Sequence, residues 1–394
     1  MSSVFSLQGR GLKLDTRADI APYLEGVDPS KIEEIHFGGN TIGVEAAEAL
    51  AEFLQKATSI KVADFADIFT GRLISEIPQA LSSICDALID KTSLVEINLS
   101  DNAFGGRSVD PMVPFLIGNR SFQILRLNNN GLGPAGGTVI AEALLQSALL
   151  SKKEGKKSNL RTVICGRNRL EDGSAPVWGQ AFEAHGGLEE IRMPQNGIRM
   201  SGISNLVQGI SHCASLHTLD LEDNTFGDVG SNALVKVLES KFWKQLENLI
   251  LSDCHLTDEG DVSEVVKTLS EVENLKLKRL HLQNNNLQES SFSLLAEGIH
   301  KNLPALKRLE IQWNDVDEDD ESIQSLIGTL TKRGGKVIID DEDEEEEEEE
   351  EEAAEAEVEA EQAETATEVE QPPAQSVADK AADALADALS KVTI

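Results

Sequence analysis

A short run of alternating aliphatic residues ending on an asparagine returns along most of the chain, and nothing else constrains the fold as much. Leu125-Arg126-Leu127-Asn128-Asn129-Asn130-Gly131-Leu132 is one instance, and the frame recurs at Leu94–Phe104, Leu188–Ile198, Leu216–Phe226 and Leu306–Val316. Its asparagine falls at Asn40, Asn102, Asn130, Asn168, Asn196, Asn224, Asn285 and Asn314, with Ile68 and Cys254 each taking the slot once. The commonest step between slots is 28 residues, with steps of 29 to 31 toward the C-terminus and two longer ones of 34 and 38.

Such a period with L-x-x-L-x-L-x-x-N/C-x-L is the signature of leucine-rich repeats. Leu219 and Leu221 alternate onto one face of a strand, Asn224 stands where the chain leaves it, and Phe226 re-enters the core. Ala233, Leu234, Val237 and Leu238 follow at helical spacing. One repeat cannot bury that stripe alone, so stacked neighbours must supply the core. A buried asparagine at the slot would cap backbone groups of its own and the adjacent repeat. The predicted fold is α/β: a leucine-rich-repeat solenoid, a horseshoe of about eleven strand–helix repeats of 28–30 residues spanning 1–339. Ten slots plus an incomplete first repeat around Leu12–Leu14 make up the count. The slot asparagines are expected to be architectural, and Cys254 a structural substitute.

The net charge is −34, and residues 340–394 hold 23 Asp and Glu against two lysines, which leaves −13 for the repeats. Thirteen consecutive acids from Asp340 to Glu352 repel one another too strongly to collapse, so 340–376 is expected to be disordered. Residues 377–394 have the spacing of a short amphipathic helix, and Leu385, Leu389, Val392 and Ile394 fit that of a nuclear export signal. The charge argues against nucleic acid and anionic membranes as partners and for a basic protein. Four scattered cysteines fit a reducing compartment. The N-terminal MSSVFSLQGRGLKLD lacks the apolar core of a secretion signal, and no apolar run is long enough for a membrane span. Phosphate-loop, nucleophile-elbow and zinc-site motifs are absent. His36 and His281 read as surface residues of the strand face. No enzyme with its own complete active site is therefore expected, and no cofactor or metal.

Regularity breaks in the third repeat, where Ile68 fills the slot and Thr70-Gly71-Arg72 follows. That loop is expected to leave the solenoid path and carry Arg72 outward. Asn129, one residue before Asn130, and Asp223, before Asn224, should lie on the exit edge of the strands. Asn284 occupies the matching place, so spacing alone does not single out Asn129. Arg167 and Arg169, flanking Asn168, could contact an acidic partner or pair with Glu171 and Asp172.

Several stretches resemble the Ran GTPase-activating proteins in their fungal form. They are GNTIG at Gly39–Gly43, FADIFTGR at Phe65–Arg72, LSDNAFG at Leu99–Gly105, LNNNGLGPAGG at Leu127–Gly137, ICGRNRLEDGS at Ile164–Ser174, QNGIR at Gln195–Arg199 and LEDNTFGDVGS at Leu221–Ser231. The resemblance implies eleven repeats that bind Ran in its GTP state, with GTP and Mg²⁺ held by Ran. It implies stimulation of hydrolysis without an arginine finger. An asparagine matching Asn129 would position Ran's catalytic glutamine, an important loop arginine matches Arg72, and a contact aspartate matches Asp223. Asp101, Arg167 and Arg169 join the expected partner contacts. Ile74 stands where fungal relatives carry a lysine. A Ran-binding protein could join a ternary complex with a monomer of this chain. Neither the C-terminal domain of animal members nor the N-terminal targeting domain of plant ones is expected, so a cytoplasmic form is. Two rivals share features: an acidic leucine-rich-repeat histone chaperone, which has shorter repeats and no TGR loop, and a ribonuclease-inhibitor-like binder, which is normally cysteine-rich.

Overall fold

The computed structural model describes residues 3–257 and 262–340. Twelve parallel strands pair in chain order into one sheet, from Val4–Ser6 and Glu34–His36 at one end to Arg308–Glu310 and Lys336–Ile338 at the other. Between successive strands the chain returns through an α-helix, eleven in all among the described residues. The fold is thus a leucine-rich-repeat solenoid of eleven strand–helix repeats closed by a twelfth strand, and residues 1–339 form one compact unit.

Registration explains the core. Ile97 pairs with Leu125, Leu125 with Val163, Val163 with Ile191 and Ile191 with Leu219, so the middle residue of each strand stacks in one buried column. Its neighbours within each strand point to the other face, as the two-residue period requires. The slot asparagines close the strand ends. Asn130 donates from Nδ2 to Leu99 O and Leu127 O, both at 3.0 Å, and its Oδ1 accepts the Asn102 N–H at 2.8 Å. Asn168 repeats the pattern, taking the Asn130 N–H at 2.9 Å, and Asn196 takes that of Asn168 at 3.0 Å. Each carboxamide therefore satisfies groups in two repeats at once. The single Cys254 S–H lies 3.3 Å from both Leu221 O and Ser252 O and so replaces the two-proton amide of the asparagine only weakly. All four cysteines are free and buried, and burial raises their thiol pKa values, that of Cys165 to about 12.

The longer steps have separate causes. The 34-residue step holds the loop before the helix Ile77–Leu88, and the 38-residue step holds the 21-residue helix Gly133–Lys153. The first repeat departs from the sequence expectation. Its strand is Val4–Ser6, with Arg10 in the slot; Lys13–Leu14 pairs with Thr41–Ile42 in a separate two-stranded sheet at the strand exits. With no asparagine at that slot, the frame there has no marker. No helix among the described residues is long and apolar enough to cross a membrane. The expectations for 340–376 and 377–394 lie outside the described residues, except at Asp340.

Candidate functional site

One residue before each slot the backbone turns left-handed. Asp67, Asp101, Asn129, Arg167, Gln195, Asp223, Asp253, Asn284 and Trp313 all have φ between 47° and 61°, and Gly9 and Gly39 continue the series. Asp and Asn tolerate this region, which accounts for six of the nine side chains; Arg167, Gln195 and Trp313 hold it at a cost of roughly 1–2 kcal/mol each. Except at Trp313 in the last repeat, each N–H reaches a carbonyl of the next repeat, as from Asn129 to Gly166 at 2.9 Å and from Asp223 to Ser252 at 3.0 Å. The side chains therefore form a column of rungs along the rim where strands pass to helices.

Asn129 and Asp101 are neighbouring exposed rungs, joined by a hydrogen bond from Asn129 Nδ2 to Asp101 Oδ1 of 3.0 Å. An ionised carboxylate only accepts, so the Asn129 amide must turn its NH2 toward Asp101. Its Oδ1 is left as an acceptor without a partner among the described residues. Five rungs further on, Asn284 donates to Asp253 in the same way. Arg167 is the next rung after Asn129; it and Arg169 are exposed and make no ion pair among the described residues. The alternative pairing with Glu171 and Asp172 is not formed among the described residues, and Asp172 Oδ1 accepts the Arg199 N–H at 2.7 Å.

Asp223 is exposed on its own rung, as expected. Partial burial and the Asp253 charge on the next rung raise its pKa above the ordinary carboxylate value. Asp220 and Glu222 are raised too, both mainly by burial. This stretch of rim gains most from a cation brought by a partner.

Arg72 corrects an expectation. It does not reach outward: its side chain is only 7% exposed and pairs with Asp15 at 2.5 Å. Nε donates to Thr41 Oγ1 at 2.8 Å, and Nη2 to Thr41 O at 2.9 Å and Leu14 O at 3.2 Å. Gly43 makes room, since a Cβ there would stand 3.1 Å from the guanidinium. Nor does the chain leave the solenoid at Ile68, which is buried and whose N–H bonds Asn102 Oδ1 at 2.8 Å. An apolar side chain is tolerated in that slot because Asn102 takes the Ile68 N–H and also donates from Nδ2 to Phe65 O at 2.9 Å. What projects instead is Leu73 and Ile74, 66% and 63% exposed. Two adjacent aliphatics inside a broken repeat were the readable sign of this.

A family profile described as "Leucine Rich repeat" matches residues 118–141 and 212–235. Over 333 residues the chain is 38% identical to "Ran GTPase-activating protein 1" of Saccharomyces cerevisiae, covering 82% of this chain and 81% of that one. The chain belongs to the Ran GTPase-activating protein family. The family protein of Xenopus laevis is 43% identical over 197 residues, 49% of this chain but 34% of the frog protein. The ribonuclease inhibitor of Sus scrofa is more distant, at 28% over 64% of this chain and 53% of its own. Membership corrects a further expectation. The chain was expected to be no enzyme, yet its relatives are named as GTPase activators, and stimulating GTP hydrolysis belongs to that reaction's catalysis.

Proposed function

We propose that the chain accelerates GTP hydrolysis by Ran, binding the GTP-bound GTPase along the strand-exit rim of repeats three to eight. Asn129 is the residue that acts on the reaction. Its Oδ1 is a free acceptor on an exposed rung, while Asp101 holds the NH2 end. A carboxamide so oriented can accept from the amide NH2 of Ran's catalytic glutamine and hold that side chain where it aligns the attacking water. The nucleotide and Mg²⁺ stay with Ran.

GTP hydrolysis depends on positioning and on charge stabilisation, and groups supplied in trans in such systems are worth ~10³–10⁵ in rate. A neutral amide contributes through orientation, where a misplacement of about 1 Å can cost ~10²-fold. Arg72 is engaged within repeats one to three, which favours a positioning role: it fixes the loop carrying Leu73 and Ile74. Arg167, one rung beyond Asn129, and Asp223, three rungs beyond, offer contacts of opposite charge. Five strand spacings of ~4.8 Å separate the third and eighth rungs by roughly 24 Å, within the span of a small GTPase. The reading carries a cytoplasmic, monomeric form.

The observation that carries it is the Asp101–Asn129 pair, and the experiment is single-turnover hydrolysis by Ran. Asn129→Ala should reduce stimulation by about 10²–10³-fold, and Asn284→Ala should leave it within about twofold. Equal losses from both would sink the assignment of Asn129.

A further inference from the structure

The opposite rim, where helices return to strands, carries the densest positive charge of an acidic chain. Lys152, Lys153, Lys156 and Lys157 fall within six residues of a sequence with 35 Lys and Arg against 69 Asp and Glu. Lys152 and Lys153 close the helix Gly133–Lys153, where cations offset the negative end of the helix dipole. That reason does not extend to the two lysines beyond the helix end.

Lys156 and Lys157 instead border a cavity of about 330 Å³ between the helix-to-strand turns of three consecutive repeats, which Lys91 and Arg120 also line. Ser121 and Asn159 add polar groups, and Asp90 is the one acid on the wall. Arg120 and Lys156 converge on the Glu154 carboxylate, Nη2 to Oε1 at 2.6 Å and Nζ to Oε2 at 3.0 Å. Those two cations hold the Glu154 carboxyl at about 2, so it stays ionised. The second guanidinium nitrogen, Arg120 Nη1, is buried without a hydrogen-bond partner. The Lys157 ammonium makes no ion pair or hydrogen bond among the described residues. A shielded guanidinium N–H left unpaired is costly, so Arg120 gains if its side chain turns to meet an acceptor in the cavity that it lines.

We propose that this cavity binds a phosphate group, free or carried on a peptide side chain, through Arg120, Lys156 and Lys157. A tetrahedral dianion can take the guanidinium fork on one edge and ammonium charges on the others. The chain's overall charge repels free anions, so only converging cations can retain one. Glu154 competes for two of the three and sets the affinity.

Calorimetric titration of the full chain, at constant ionic strength, with inorganic phosphate and with a phosphoserine peptide tests this. Saturable binding is expected, weakened at least tenfold by Lys156→Gln with Lys157→Gln and strengthened several-fold by Glu154→Gln. Lys152→Gln with Lys153→Gln should change it less than twofold. Binding of the peptide alone assigns a carried phosphate, and binding of inorganic phosphate assigns a free one. Absence of saturable binding in both the natural chain and Glu154→Gln would overturn the proposal. Equal losses from the two lysine pairs would overturn it as well, since they would mean diffuse attraction.

Discussion

Asp101, Asn129 and Arg167 on one stretch of the rim match Asp253, Asn284 and Trp313 on another, rung for rung. Both trios are left-handed, and both amides donate to the preceding aspartate. Their third members differ: an exposed guanidinium follows Asn129, whereas an indole 60% exposed follows Asn284. The preceding rungs differ too, Asp67 being tied to Thr70 while Asp223 faces Asp253. The aspartate–asparagine clamp is thus a product of the repeat backbone, available wherever those two residues fall on adjacent rungs. A clamp becomes a site through its neighbours. Beside Asn129 a cation is free for a partner, and beside Asn284 stand carboxylates on one side and an aromatic surface on the other.

The sharpest contrast lies one residue from the clamp. Asn130→Ala removes three hydrogen bonds and strands the buried Asn102 N–H, while Leu99 O and Leu127 O each keep one bond, from Asn102 and Asn168, so unfolding in urea should show a loss of about 2–4 kcal/mol. Asn129→Ala should cost stability less than about 0.5 kcal/mol while removing most Ran stimulation. A large stability loss from both would erase the distinction between slot and rung.

The Asp101 prediction is smaller. Asp101→Ala frees the Asn129 amide to rotate, and stimulation should fall about tenfold, through kcat more than KM. Asp253→Ala should have no comparable effect. In the double variant Asp101→Ala with Asn129→Ala the losses should not add, because Asp101 acts through Asn129. Additive losses would give Asp101 a contact of its own with the partner.

How far the sequence reached follows the same geometry. The slot ladder was legible because each asparagine repeats at a constant step and its partners lie in the adjacent repeats. Arg10 hid the first strand by removing that marker. Arg72 was misread in direction because Asp15 and Thr41, which turn it inward, lie 57 and 31 residues away and belong to other repeats. The Asp101–Asn129 bond spans 28 residues, one repeat, and could have been found by reading the rung column as a column. Arg120 and Lys156 lie on the strand-return side, where the repeat pattern places no fixed residue, so their sequence positions carry no signal of the convergence.

Acidification sets the interior of repeats five and six against the rim of repeat eight. His185 is buried, with Nε2 donating to Leu144 O at 3.0 Å and Nδ1 accepting from Ser158 Oγ at 2.5 Å. Burial pushes its pKa down to about 4, so the folded state stays neutral while the unfolded chain, near 6.5, takes up a proton. Its stabilisation is therefore complete above the unfolded pKa and fades as pH falls from about 6.5 toward 4, a loss of about 2 kcal/mol by pH 5. Asp220, Glu222 and Asp223 act in the opposite sense, since raised pKa values make the folded state bind protons first and gain stability on acidification. Urea unfolding at pH 7 and pH 5 of the natural chain, His185→Gln and Asp223→Asn separates the two. His185→Gln should flatten the pH-dependent loss, and Asp223→Asn should deepen it slightly. If both variants kept the natural slope, the interior histidine and the rim carboxylates would have no part in it, and the acid response would arise elsewhere in the repeats.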